Sequence, residues 1–172
     1  MRGVSLDDEG PLARLMAGGR HVRLLVMGRL PAAMSLPPLK DFERVARVGP
    51  GSVIVDPLRL PFTEALFDKA LVATLLPPGT ARGELREQWR VLAPAGLLLL
   101  VVKARRRWQW RRPGWRREAL EPVLDDAMFE VLDWQVATLP ERYHLILLAK
   151  RDGLRPAMIG RAEASEVPAT AN

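Results

Sequence analysis

Cysteine is absent from this 172-residue chain, and histidine occurs only at His21 and His144. The first absence excludes disulfides and thiolate metal sites, and two isolated histidines make no ligand set, so no metal is expected. No apolar run reaches the length needed to span a bilayer as a helix. Met1 to Gly10 holds one basic residue and three acids around no apolar core, which reads against a secretory signal and leaves a cytoplasmic location as the expectation. No catalytic triad or pair of neighbouring carboxylates announces itself, which counts against a hydrolase. Glu84, Tyr143 and His144 are conceivable bases, but each has an ordinary structural reading.

What is present suffices for one core. With 48% hydrophobic residues, the chain reads as a single domain over 1–152. The Ala-, Pro- and Glu-rich residues 153–172 read as a disordered tail. Asp7 to Ala17 and Leu39 to Val48 are expected to be short helices, and Val22 to Met27 a first strand. Ser52 to Val55 reads as a buried strand closed by Asp56, and Phe67-Asp68 opens another. The amphipathic ELREQWRVLAPAG segment then leads into the apolar run Leu97 to Val102. Glu84, Arg86, Glu87 and Arg90 sit at helical spacings that suit surface pairs. A helix over Arg117 to Ala127 follows, then strands over 129–139 and 143–150, joined by so short a connection that they must be antiparallel.

Apolar runs separated by helical segments point to a parallel sheet covered on both faces, with ligands at the carboxyl ends of its strands. The expected fold is therefore α/β, a Rossmann-like three-layer sandwich whose mostly parallel sheet ends in an antiparallel pair. It is abridged on its amino-terminal side. Only 28 steps along the chain separate Gly28 from Asp56, while each βαβ unit takes roughly 30 residues or more. One βα unit is thus expected to be shortened or missing, with the proline-rich stretch from Pro31 to Pro38 irregular.

The order Asp56, Leu60-Pro61-Phe62, Phe67-Asp68 and Arg90-Val91-Leu92-Ala93-Pro94-Ala95-Gly96 resembles the central half of class I S-adenosylmethionine-dependent methyltransferases. The resemblance covers residues 53–102 and extends loosely to Lys150. It implies S-adenosylmethionine as cofactor, with Gly28, Asp56, Pro57, Leu58 and Thr74 beside it and Asp56 accepting from the adenine amino group. Taken without the family, Asp56 has a second reading, as the cap of its own turn. Two departures stand out. A single glycine, Gly28, follows the first strand where the family has a glycine-rich loop, and neither Asp41 nor Glu43 matches the family's ribose-binding acid. Ala95 also stands where the family's turn usually has a glycine.

Lys103 to Arg117, KARRRWQWRRPGWRR, holds eight positive residues, no acid and three of the five tryptophans. Those eight charges exceed the net +6 of the chain, so the basic character is local. Arg105, Arg106, Arg107, Trp108, Trp110, Arg111, Arg112 and Trp115 are the candidates for contact with a substrate or polyanion, since interleaved arginine and tryptophan suit phosphates and bases or a lipid headgroup boundary. A solvated loop is the plain alternative. Two functions are compatible with these features. One is methyl transfer to an unidentified, anionic or amphipathic acceptor. The other is a catalytically silent, methyltransferase-like domain that has lost its cofactor and binds RNA, an anionic membrane or a protein through this segment.

Overall fold

The computed structural model describes residues 10–17, 21–32, 34, 36, 38–105, 113–139 and 141–152. Six strands form one sheet: β1 (Arg23–Gly28), β2 (Arg44–Val48), β3 (Phe67–Ala73), β4 (Leu92–Lys103), β5 (Phe129–Leu139) and β6 (Glu141–Lys150), in the order β2-β1-β3-β4-β6-β5. The first four are mutually parallel, and β6 pairs antiparallel with both β4 and β5. Leu71, Leu98, Leu99 and Leu100 are fully buried, as strands covered on both faces require.

Alternate side chains feed two cores. On one face, Leu25, Val72, Leu98, Leu100 and Ile146 pack with Leu85 of α2 (Ala81–Val91) and with Leu120 and Leu124 of α3 (Arg117–Asp126). On the other, Leu71, Leu99, Leu145 and Leu147 meet Leu12 and Leu15 of the short α1 (Pro11–Met16). Buried Lys69 of β3 secures α1 by donating to the carbonyls of Leu15 and Ala17 at its carboxyl end, where the helix dipole favours a cation.

The fold class is as the sequence implies, but its amino-terminal half differs in two places. The stretch read as a helix over Leu39 to Val48 is a 3-10 turn at Leu39–Asp41 followed by β2. Pairing with β1 overrides local periodicity here, and β2, as the sheet's edge, keeps Arg44 and Arg47 exposed. The stretch read as a buried strand over Ser52 to Val55 makes one isolated bridge, Val48 to Val53, and leaves Val53 63% and Ile54 88% exposed. The cause is the turn before it: the Val53 carbonyl accepts from Gly49 N at 2.8 Å and the Ser52 hydroxyl donates to the Arg47 carbonyl at 2.8 Å, folding this run back on β2 instead of along a neighbour. The abridgement therefore removes helices and retains a strand. Among the described residues no α-helix lies between β1 and β3, and residues 31, 32, 34, 36 and 38 lie in neither helix nor strand. Residues 33, 35 and 37, and the tail from 153, fall outside the described residues.

Candidate functional site

The carboxyl ends of β1, β2, β3 and β4 lie along one edge of the sheet, where they surround a cavity of about 690 Å3. That volume is in the range of small-molecule sites. Its walls are chiefly apolar, from Met27, Ile54, Val55, Pro57, Leu75 and Pro77, with Gly28, Gly49 and Ala73 contributing backbone. The glycines are needed for the strand ends to converge. Gly28 has φ +83°, and a Cβ there would stand 1.9 Å from the Ala73 carbonyl oxygen; a Cβ on Gly49 would stand 3.0 Å from Gly28 Cα.

The polar groups form two sets. Inside, buried Glu84 accepts from the Thr80 hydroxyl at 2.7 Å and from the Thr74 hydroxyl at 3.3 Å, while Thr74 Oγ accepts from Leu76 N at 3.1 Å. Glu84 is the only carboxylate among the lining residues, and it lies in the first turn of α2, where the helix dipole favours negative charge. At the rim, Lys103 pairs with Glu141 at 2.6 Å, and the Tyr143 hydroxyl donates to the same carboxylate at 3.3 Å. The bond to Glu141 holds the Lys103 ammonium above its ordinary pKa, so this rim cation stays charged. Burial, then Glu141, pushes the Tyr143 phenol up, away from any role as a base near neutral pH.

Of the five positions the resemblance assigns to the cofactor, Gly28, Pro57 and Thr74 line the cavity. Asp56 does not. Its Oδ1 accepts from Leu58 N at 2.9 Å, the cap of its own turn, because the chain bends at Pro57 instead of leaving a strand tip. Leu58, 46% exposed, lies over Gly83, where a Cβ would meet its Cδ2 at 2.7 Å; it packs on α2 and is not part of the lining. Glu84, read from sequence as part of a solvated face, is buried in the site. Its helical spacing carried no sign of this, since Thr74, its partner, comes from the end of β3. Glu87 and Arg90 are not a free surface pair either. Glu87 accepts from Leu60 N at 2.8 Å, and Arg90 donates to the carbonyls of Leu60 and Phe62 at 3.1 and 2.9 Å. This clamp explains the Leu60-Pro61-Phe62 spacing structurally. The Arg90 guanidinium holds the Glu87 carboxyl below its usual range.

The Arg/Trp segment divides. Its feet are zipped, with Arg105 N donating to the Trp115 carbonyl and Trp115 N to the Lys103 carbonyl, both at 2.8 Å. Trp115, expected as a contact residue, is instead core: it is 8% exposed and its indole N–H donates to the Leu76 carbonyl at 2.7 Å. Arg105 is half-buried. Arg106, Arg107, Trp108, Trp110, Arg111 and Arg112 lie outside the described residues. Next to the zipped feet, His144 is buried between Trp134, whose indole N–H donates to Nδ1 at 3.0 Å, and the Trp115 carbonyl, 3.0 Å from Nε2. With Nδ1 accepting, Nε2 carries the proton and the ring is neutral.

Burial, reinforced by Arg142 and Arg117, holds His144 below its ordinary pKa. The unfolded chain therefore takes up this proton before the native one does. Stability from His144 is complete above the ordinary imidazole value of 6.5 and declines as pH falls below it, by at most about 1.4 kcal/mol per pH unit for one proton. Asp68 and Glu87, both lowered, add their own loss only near and below the ordinary carboxyl values of 3.8 and 4.5. Urea midpoints of the wild type should thus fall between pH 6.5 and 5, and His144→Leu should flatten that interval; an unchanged slope would remove His144 as its cause.

No protein-family profile and no curated sequence matches the chain, but solved structures do. A 1,6-didemethyltoxoflavin-N1-methyltransferase from Burkholderia thailandensis, solved with S-adenosylhomocysteine, is 20% identical with a TM-score of 0.62, over 84% of this chain and 80% of that one. A putative methyltransferase from Bacillus halodurans is 15% identical with a TM-score of 0.63, over 82% and 99%. The (4+2)-cyclase SpnF is 19% identical with a TM-score of 0.59, over 81% and 78%. The chain thus has the class I methyltransferase fold. The cyclase bears on the limits of that statement, because one fold supports different chemistries and function must be argued from the site.

Proposed function

We propose that the chain is an S-adenosylmethionine-dependent methyltransferase acting on an anionic acceptor. The cavity at the carboxyl ends of the parallel strands carries this reading: its volume suits a nucleoside-sized ligand, and its apolar walls suit a purine. The fit is partial. Glu84 is the carboxylate available to ribose hydroxyls, while β2 ends in Val48-Gly49-Pro50 with no acid.

When bound, the cofactor supplies an electrophilic methyl on a sulfonium. The chain's part is to orient and enclose. Gly28 and Gly49 bring backbone close, Met27, Val55 and Pro57 exclude water, and the Thr74–Glu84–Thr80 chain fixes one acceptor. Exposed Arg29 at the opening supplies positive charge toward an anionic acceptor, while Lys103 is held by Glu141. Holding donor and acceptor in line accounts for much of the rate in such a transfer, and no fixed base is required.

S-adenosylhomocysteine at 100 times its dissociation constant should add about 2.7 kcal/mol to the native state and raise Tm accordingly. Glu84→Gln should reduce the calorimetric affinity roughly tenfold, as loss of one charge-assisted hydrogen bond does. Asp56→Ala should leave the affinity unchanged, since its carboxylate serves its own turn. No heat at millimolar ligand would overturn the enzyme reading in favour of a silent domain.

A further inference from the structure

A second cavity, of about 420 Å3, shares the carboxyl end of β4 with the first but opens on the other side of the sheet. Lys103 and Tyr143, paired across β4 and β6, line the first cavity, whereas Ala104, Arg142 and buried His144, their neighbours in sequence, line the second. Neighbours along a strand point to opposite faces. Arg105, together with Arg116, Arg117 and Glu118 around the start of α3, completes the lining. Among the described residues, Arg105, Arg116 and Arg142 enter no ion pair, while Arg117 bonds Glu121 at 3.0 Å and stacks 4.8 Å from the centre of the Trp134 ring. The field of this cluster reaches into the fold. Burial, then Arg142 and Arg117, hold His144 below its ordinary pKa against the opposing charge of Glu118.

We infer that this cleft binds a small phosphate monoester on a polyol body, of the sugar-phosphate class. Charge selects the phosphoryl group: Glu121 neutralises Arg117 and Glu118 offsets one of the other three arginines, so two positive charges remain uncompensated. A monoester near neutral pH carries close to two negative charges, a diester or a carboxylate only one. Guanidinium forks from separate segments also offer the paired N–H donors that phosphate oxygens accept. The rest of the lining selects the body. The volume lies within the range of small-ligand sites, but Ala104 is the only apolar residue and no aromatic ring is present among the described lining residues. A purine finds no wall to rest on here, in contrast with the first cavity, whereas hydroxyl groups find Glu118 and the remaining arginine donors.

The test is calorimetric titration of the full chain with glycerol 3-phosphate at about pH 8, where the monoester carries both charges, without S-adenosylhomocysteine and then saturated with it. Saturable heat is expected in both conditions, which separates this cleft from the methyl-transfer site. Arg142→Gln or Arg116→Gln should weaken binding roughly tenfold, as loss of one hydrogen bond to a charged group does, with Tm unchanged because both side chains are exposed and unpaired. Glu118→Gln should tighten it about two- to fivefold, the size of an exposed charge–charge interaction, and this gain keeps the test decisive should an arginine variant fail to fold. Dimethyl phosphate, with one charge, should bind at least tenfold more weakly than the monoester. The proposal is overturned by no heat at millimolar glycerol 3-phosphate, by an affinity that neither the arginine variants nor Glu118→Gln change, by dimethyl phosphate binding as tightly, or by capture on phosphatidic acid vesicles without binding of the soluble monoester.

Discussion

Trp115→Ala is expected to cost about 3–5 kcal/mol of unfolding free energy, the range for truncating a buried tryptophan. The indole is 8% exposed and packs in the core that α2 and α3 share with the sheet, so its loss leaves a void no neighbour fills. Its N–H also has a positional role. The Leu76 carbonyl it meets at 2.7 Å belongs to the Thr74 to Pro77 turn along the first cavity, and Leu76 sits at φ +47°, a conformation that costs a leucine about 1–2 kcal/mol. Trp115→Phe separates the two contributions: it keeps most of the volume but strands the carbonyl, for about 1–3 kcal/mol. Urea denaturation of the three proteins checks this. Wild-type stability in both variants would contradict the buried placement, and phenylalanine as damaging as alanine would assign the whole effect to the hydrogen bond.

How far the sequence discloses such features depends on how local they are. β3, β4 and β6 are legible because burial on both faces writes continuous apolar runs, and β5 and β6 because so short a connection allows nothing but an antiparallel pair. β2 is illegible: Arg44-Val45-Ala46-Arg47-Val48 is short, edge-placed and half-polar, and only its register with Leu24 to Met27 makes it a strand. Val53-Ile54-Val55 misleads in the opposite sense, since β-branched residues read as core until a Gly-Pro-Gly turn removes their neighbour. Glu84 is hidden for a similar reason. Burial was set by Thr74, ten residues away on another element. Ala95 is the instructive intermediate: the resemblance marks a glycine position, and the backbone there does adopt φ +56°, so the motif's glycine reflects a left-handed turn that alanine occupies at a cost.

Gly28→Ala is expected to be at least as damaging as Trp115→Ala, and Gly51→Ala provides its control. The two glycines have nearly the same φ, +83° and +85°, so alanine pays a similar left-handed cost of about 1–2 kcal/mol at each. They differ in surroundings. A Cβ on Gly51 meets nothing within 4 Å, whereas one on Gly28 stands 1.9 Å from the Ala73 carbonyl oxygen. That oxygen is backbone, at the Gly28–Ala73 step of the β1–β3 ladder, so no rotamer relieves the clash and the strands must part where they border the cavity. Gly28→Ala should therefore lose more than about 4 kcal/mol, the exceptional range for a point substitution, or fail to fold, while Gly51→Ala stays within about 2. Equal losses by chemical denaturation would show that Gly28 is needed only for its backbone freedom. A larger loss at Gly28 would locate the requirement in the close approach of β1 to β3, the same approach that shapes the cavity floor.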